Sequence, residues 1–435
     1  MPIYDKPRII GCAEVFPEHI GLPRGCAEDL THLLLDNHIP YTVCDKRNSG
    51  SYQSFTFQGN LRDEQEKAAL ALLKYDLGVL SASTAFGKTV VAIYLIAQRS
   101  VNTLVLVHRV QLIEQWKSRL QTFLGIPPDQ IGTIGGGKKR VTNIVDIASI
   151  QSLIRAGVVD DVVGNYSMVV VDECHHLSAF TFESVIRQCK CKYVLGLSAT
   201  LTRKDGHHPI IFMQCGPVRY RVNEKQQALE RPFDHQVIVR ETHLELNAEL
   251  AGREKPTIHD IYERLLHDEE RNRMIIDDVR AALKAGRNPV VITERKEHLA
   301  WLAGQFQDIP NLFVMQGGMR RKMRLEIQHA FSTVPEDEQR LLLATGKFLG
   351  EGFDDPRLDT LFLTMPISWR GTLAQYAGRL HRLYDRKKEV MIYDYADTKI
   401  PMTARMFDRR KAGYKSIGYR LESQCQTLGL QDQLF

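Results

Sequence analysis

No uninterrupted apolar run in the 435 residues approaches the roughly 20 that a bilayer-spanning helix needs. The first residues, MPIYDKPRII, have no apolar signal-peptide core, so the sequence reads as cytoplasmic, with no membrane partner. Cysteine is sparse: Cys12, Cys26, Cys44, Cys174, Cys189, Cys191, Cys215 and Cys425 form no CxxC pair. That argues against a disulfide framework and for free thiols in a reducing compartment. A zinc site built from Cys189 and Cys191 with His175 or His176 is the metal alternative, and the missing paired spacings count against it. With 43% apolar and 25% charged residues, the composition excludes collagen-like and disordered chains. At about 150 residues per domain the length suits two to three domains, with cores that need no staples.

Large net charge is also absent. The total is +5, but residues 379–420 hold twelve Lys or Arg against five Asp or Glu, a local +7 on a body of −2. Such a stretch attracts polyanions, unless it is simply a solvated charged face.

Residues 1–50 read as a small α/β module: a strand over 8–15, a turn at Leu22-Pro-Arg-Gly25, a helix over 27–35 and a strand over 39–44. From 51 to 222, short apolar strands alternate with amphipathic helices. The strands are expected at 78–81, 103–107, 145–148, 168–171 and 194–197, a pattern of parallel strands covered on both faces. Residues 223–257 read as a polar connector with an extended piece at 236–240. A second alternating block, 258–400, opens on one long helix over 258–285 and has strands at 289–293, 312–315, 340–344, 360–363 and 389–393. A basic, partly helical tail occupies 401–435. The strand-to-Arg runs VLVHR (105–109) and VITER (291–295) echo each other, as two copies of one fold would.

The run Val79-Leu-Ser-Ala-Ser-Thr-Ala-Phe-Gly-Lys-Thr89 follows a strand and opens a helix. A loop in that position aims backbone N–H groups and a helix N-terminus at a polyphosphate. Ala85, Phe86 and Gly87 would cradle it, Lys88 would meet the β and γ phosphates, and the Thr89 hydroxyl suits Mg²⁺. The match to G-x-x-x-x-G-K-T is imperfect, because Ala82 holds the first glycine position. Downstream, Met168-Val-Val-Val-Asp-Glu173 delivers two carboxylates from a strand end, where α/β sheets bind ligands. Asp172 can hold Mg²⁺ and Glu173 can orient or deprotonate water. Together they point to NTP hydrolysis.

In Gln375-Tyr-Ala-Gly-Arg-Leu-His-Arg382, helical spacing puts Gln375, Arg379 and Arg382 on one stripe and Leu373, Ala377, Leu380 and Tyr384 on its apolar neighbour. Arginines presented by a second lobe can act as fingers on a γ-phosphate, contributing about 10³ to 10⁵ in rate. Seven motifs in order (Arg62–Gln65, Ala82–Thr89, Val107–Arg109, Asp172–His175, Ser198–Thr200, Thr345–Asp354 and Gln375–Arg382) resemble those of superfamily 2 helicases over about residues 55–400. The DECH form, with Arg203-Lys-Asp205 after Ser-Ala-Thr, looks most like the XPB-like branch. FGKTVVA, DECHHLSAF and QYAGRLHR are similar to the helicase portion of prokaryotic TOTE-type conflict-system primase–helicases.

This resemblance implies two RecA-like lobes with ATP and Mg²⁺ between them and nucleic acid across both. It implies that Gln65 reads adenine with Arg62 nearby, that Gly352 and Asp354 line the cleft, and that His175, Ser198 and Thr200 couple hydrolysis to movement. In the XPB-like branch the segment after Ser-Ala-Thr is Arg-Glu-Asp and assists unwinding; here Lys204 replaces the acid. A 3′-to-5′ polarity is implied by the branch alone.

Motors grip mainly phosphates, so basic residues are the candidate nucleic-acid contacts. They are Arg109, Lys138, Lys139 and Arg140 in the first block and Arg295, Arg320, Arg321 and Lys322 in the second. Gly135-Gly-Gly137 would let backbone approach a strand, and Trp369 could stack a base or pack in the core. The N-terminal module is expected to sense duplex or damage-type DNA. The reading is thus an ATP-dependent DNA helicase or translocase, DNA favoured over RNA, in repair, replication or anti-phage conflict. An ATP-gated nucleic-acid clamp is one alternative. The other is the motor subunit of a defence complex whose effector, a primase or nuclease, sits on another chain.

Overall fold

A computed structural model describes residues 12–174, 179–199, 209–229, 231–246, 257–346, 353, 355–367 and 370–423. It divides into two units, Met1–Val222 and Asn223–Phe435. Each carries a mainly parallel sheet of the RecA-like kind.

The first unit opens with a two-stranded hairpin, β1 (Glu14–Val15) and β2 (Ile20–Gly21). Its large sheet contains β3 (Leu77–Ser81), β4 (Thr103–Val107), β5 (Ile131–Gly135), β6 (Lys138–Arg140) and β7 (Val145–Ser149). A small ribbon, β8 (Ile154–Arg155) with β9 (Val158–Val159), precedes β10 (Met168–Val171), β11 (Tyr193–Ser198) and β12 (Val218–Arg221). The order is β12-β3-β11-β10-β4-β7-β5-β6, all parallel except β6, which returns antiparallel along the edge.

The apolar runs explain this directly. Successive residues of a strand face opposite sides, and here both sides are apolar. Leu80, Val105, Val107, Ile147, Val170 and Leu195 enter one core. Val79, Leu104, Leu106, Ala148, Val169 and Val194 enter the other. Helices 63–73, 88–99 and 111–124 cover the first face, while 179–188 and 209–215 cover the second.

The second unit's sheet comprises β13 (Asp234–Glu241), β14 (Pro289–Thr293), β15 (Leu312–Met315), β16 (Leu341–Thr345), β17 (Thr360–Leu363), β18 (Glu389–Ala396) and β19 (Arg420–Ser423). All are parallel, in the order β15-β16-β14-β17-β18-β13-β19.

Four expectations change. The stretch read as a connector supplies β13, an interior strand paired with both β18 and β19. The tail supplies helix 401–416 and β19, so both belong to this sheet's fold. The single helix over 258–285 is two, 258–266 and 269–284: Asp268 accepts the Arg271 N–H at 2.9 Å, an N-cap that starts a new helix.

The N-terminal segment has its helix at 27–36, but residues 39–44 form no strand and the helix buries no residue. Rather than an independent module, it is clipped onto the first unit. Asn48 N–H donates to Lys190 O at 2.7 Å, and Arg24 bonds to Ile186 O at 2.9 Å and Cys189 O at 2.5 Å. At Gly25 an added Cβ would lie 2.2 Å from Phe212 O, so only glycine permits this approach.

Candidate functional site

Strand order brings the chemistry together. β11 lies between β3 and β10, in register Ser198↔Ser81 and Gly196↔Val171, so their C-terminal ends adjoin. From those ends leave the 82–89 loop, Asp172-Glu173 and Ser198-Ala199. Open α/β sheets bind ligands there.

The loop turns through Gly87, φ +88°, and helix 88–99 begins at Lys88. The left-handed turn favours glycine, and a Cβ there, 2.5 Å from Gln65 Nε2, would displace the Gln65 amide. Gln65, buried at the start of helix 63–73, donates to Phe86 O at 2.7 Å and accepts the Arg62 N–H at 3.0 Å. The Arg62 guanidinium also donates to Phe86 O. Gln65, expected to read adenine, and Arg62, expected nearby, therefore both brace the 82–89 loop. Lys88, 5% exposed, points back across the loop: Nζ donates to Ala82 O at 3.0 Å and meets Glu173 Oε1 at 3.2 Å. The residue at the absent first glycine thus contributes a carbonyl. Thr89 is half-buried on the first helical turn.

Asp172 is 8% exposed, and the Trp116 indole N–H donates to its Oδ2 at 2.8 Å. Burial, and next the Glu173 charge, push its carboxyl up to about 6. Glu173 lies at φ +46°, a conformation a non-glycine residue adopts at a cost. Its Oε1 faces Lys88 and its Oε2 accepts the Ala199 N–H at 3.3 Å. The water-activating candidate is therefore hydrogen-bonded directly into the Ser198-Ala199 segment. Lys88 and the Ala199 N–H thus share the carboxylate of Glu173.

His175, Thr200, Gly352, Asp354, Trp369 and residues 203–205 lie outside the described residues, as does the side chain of Arg321. Ser198 is buried at the end of β11. Arg109 is half-buried after β4. Lys138, Lys139 and Arg140 form the exposed edge strand β6, with Lys139 on Asp160 at 2.5 Å and Arg140 on Asp129 O at 2.6 Å. In the second unit Arg320 is exposed, and Arg295 reaches His259 Nδ1 at 3.0 Å.

Helix 370–380 carries Gln375, half-buried, and Arg379, 9% exposed. Arg382 lies beyond its end, not on its stripe. Lys387 Nζ caps the helix instead, donating to Leu380 O at 2.8 Å and Arg382 O at 2.9 Å. The apolar face is Leu373, Tyr376, Ala377 and Leu380; Tyr384, expected there, donates its hydroxyl to Glu336. The basic stretch 379–420 is also less available than its charge suggests. Arg410 is bound to Asp394 at 2.7 Å in the core, Lys387 is buried, and Lys399, Arg386 and Lys411 are paired with Glu245, Glu336 and Asp408.

Sequence reasoning missed Trp116, whose place on an amphipathic helix reads as core, and the Ala199 N–H, which no side-chain pattern carries. It weighed Cys189 and Cys191 as zinc ligands. Cys191 Sγ accepts from the Arg24 guanidinium at 3.0 Å, and its pKa falls to about 7, first through the Cys189 hydrogen bond. The second unit also holds a cleft of about 760 Å³ bordered by Glu263, Glu297 and Trp301, which none of the predicted site residues lines.

Residues 58–203 match the family "Type III restriction enzyme, res subunit". The chain is similar to a protein of Acanthamoeba polyphaga mimivirus named as an ATP-dependent RNA helicase, L396, with 24% identity over 81% of this chain and 67% of that protein. It is also similar to the DNA 3′-5′ translocase XPB2 of Sulfurisphaera tokodaii, with 33% identity over 39% of this chain and 37% of that relative, little more than a third of its length. Among solved structures, the ATP-dependent Type ISP restriction-modification enzyme LlaBIII bound to DNA shares the fold at TM-score 0.59 and 14% identity. That likeness covers 84% of this chain and 32% of the larger one. No helix among the described residues is long and apolar enough to cross a membrane.

Proposed function

We propose that this chain, an ATP-hydrolysing enzyme of the superfamily 2 helicase class, is a motor whose track is DNA. The observation that carries the reading is the carboxylate of Glu173, which joins Lys88 at 3.2 Å to the Ala199 N–H at 3.3 Å. A nucleotide's terminal phosphate competes with Glu173 for Lys88. That competition alters the grip of Glu173 on the Ser198-Ala199 segment, and the phosphate site is thereby linked to the segment assigned to coupling.

The loop 82–89 binds the polyphosphate, with Gly87 allowing close backbone approach and Lys88 meeting its outer charges. Gln65 and Arg62 hold the loop and take the adenine. Glu173 orients water and accepts its proton. Asp172 and Thr89 fit a Mg²⁺ ion: a carboxylate pushed up in pKa first by burial and next by the Glu173 charge gains from a divalent cation. When bound, the ion neutralises charge on the transferring phosphoryl group. Gln375, Arg379 and Arg382 are assigned to catalysis, and Gly352, Asp354, His175 and Thr200 to nucleotide contact and coupling, all by resemblance.

For the track, we favour DNA with 3′-to-5′ movement, supported by the name of the Sulfurisphaera relative; the mimiviral name points to RNA instead. Lys138, Lys139 and Arg140 on the exposed edge strand, with Arg109, Arg295, Arg320 and Arg321, are the proposed phosphate contacts. Repair, replication or conflict with mobile elements is the proposed setting, with a primase or nuclease as a partner in trans.

ATP hydrolysis measured without polymer and with single-stranded DNA, duplex DNA and RNA tests this, with Lys88→Ala as the blank. Stimulation by DNA that is lost in the variant supports a motor on DNA. Stimulation by RNA alone overturns the choice of track. Slow hydrolysis indifferent to every polymer, with ATP-dependent binding, overturns the motor in favour of a clamp.

A further inference from the structure

Helix 111–124 lays Ile113, Trp116, Leu120 and Leu124 against the first unit's sheet. Three of these positions are aliphatic. At the fourth stands an indole, 2% exposed, whose N–H needs an acceptor once buried. The acceptor is Asp172 Oδ2 at 2.8 Å, across 56 residues of sequence. A leucine would fill the core there without making that demand.

A carboxylate on the last turn of a strand end can rotate, and only some rotations aim an oxygen at the phosphate loop. A donor fixed in the core removes that freedom by pinning one oxygen. The donor's neutrality matters too. A lysine or arginine in its place would hold Asp172 as firmly but would repel a divalent cation, whereas an indole N–H orients and stabilises the carboxylate without adding positive charge. Lys88, whose charge acts on Asp172, is itself paired with Glu173 at 3.2 Å.

We propose that Trp116 is a positioning residue for the metal-binding carboxylate: its indole N–H sets the orientation in which Asp172 meets a divalent ion. This rests on the reading of Asp172 as the metal carboxylate. Loss of such a supporting hydrogen bond typically weakens a metal site about 10-fold or more.

The test uses the full chain with Mn²⁺ and ADP as probes, reading Mn²⁺ binding to the ADP-saturated protein by electron paramagnetic resonance and ADP binding in EDTA by calorimetry. Trp116→Phe should weaken Mn²⁺ about 10-fold and leave metal-free ADP binding within about twofold. In an Asp172→Asn background the same substitution should change Mn²⁺ binding little. Equal Mn²⁺ affinity in wild type and Trp116→Phe overturns the proposal, as does an equal loss in both backgrounds. If Asp172→Asn alone leaves Mn²⁺ binding intact, the reading of Asp172 fails, and the role of Trp116 with it. Should Trp116→Phe not fold, ¹⁵N-indole spectra of the wild type decide. Mn²⁺–ADP should broaden an indole resonance beyond any change seen with Mg²⁺–ADP, and three unbroadened indole signals overturn the proposal.

Discussion

Glu173 occupies the left-handed region at φ +46°, which costs a non-glycine residue about 1–3 kcal/mol. Such strain survives where surrounding bonds enforce it, here Lys88 and the Ala199 N–H. If Glu173 activates water, Glu173→Gln should bind ATP within a few-fold of wild type and lower kcat about 10² to 10⁴-fold. Single-turnover hydrolysis beside nucleotide titration checks this, and a kcat within tenfold of wild type removes Glu173 as the base. Gly87→Ala acts differently. Its Cβ would press on Gln65 Nε2 at 2.5 Å from a backbone at φ +88°, so the Gln65 amide that braces the loop, or the loop itself, must shift. We expect ADP binding to weaken at least tenfold while thermal stability changes by no more than about 1–2 kcal/mol, as for other strained turn substitutions. Calorimetry of both quantities checks it; unchanged ADP affinity would show that the loop adapts.

At the scale of elements, sequence periodicity located most strands buried on both faces, β5 excepted, because a continuous apolar run such as Thr103–Val107 has no other stable place. It failed where the fold is decided by distant partners. β13 reads as a polar connector because Asp234, Gln236, Arg240 and Glu241 punctuate it, and only its ladder with β18 and β19 makes it a strand. Arg382 leaves its helix because Lys387 caps Leu380. The 82–89 loop and the Asp172-Glu173 pair stand out in the sequence because their motifs are local; the Trp116 and Ala199 hydrogen bonds join distant segments and leave no local signal. The basic tail shows the same. Helix 401–416 is tied down by Arg410, which binds both Asp394 oxygens at 2.7 Å, and by the Tyr414 hydroxyl on the same carboxylate at 2.7 Å. Asp394→Ala would leave a buried guanidinium without its counter-charge, at a cost of about 3–5 kcal/mol. Urea unfolding followed by circular dichroism should show that loss; a change below about 1 kcal/mol would mean that Arg410 finds other compensation.

For the molecule as a whole, the two units differ in how they meet acid. The second holds three buried histidines kept neutral by desolvation. His298, between Thr293 and Asn272 at 3.2 Å each, is lowered to about 3; His235 is lowered to about 4, and His381 well below its ordinary value. In the unfolded chain each protonates near pH 6.5, so below that value the unfolded state binds more protons and stability falls as pH falls. Above pH 6.5 the effect vanishes. For His298, 1% exposed, the loss between pH 6.5 and 5 is at most about 2 kcal/mol. The first unit's His19, His32 and His38 lie exposed rather than buried. Calorimetric scans at pH 7.5 and 5 should therefore show the second unit's transition moving down more than the first's, each assigned by limited proteolysis. His298→Gln should shrink the shift while lowering the pH 7.5 transition, since the glutamine cannot protonate. Parallel shifts of both units, or an undiminished shift in the variant, would place the acid sensitivity elsewhere than in His298.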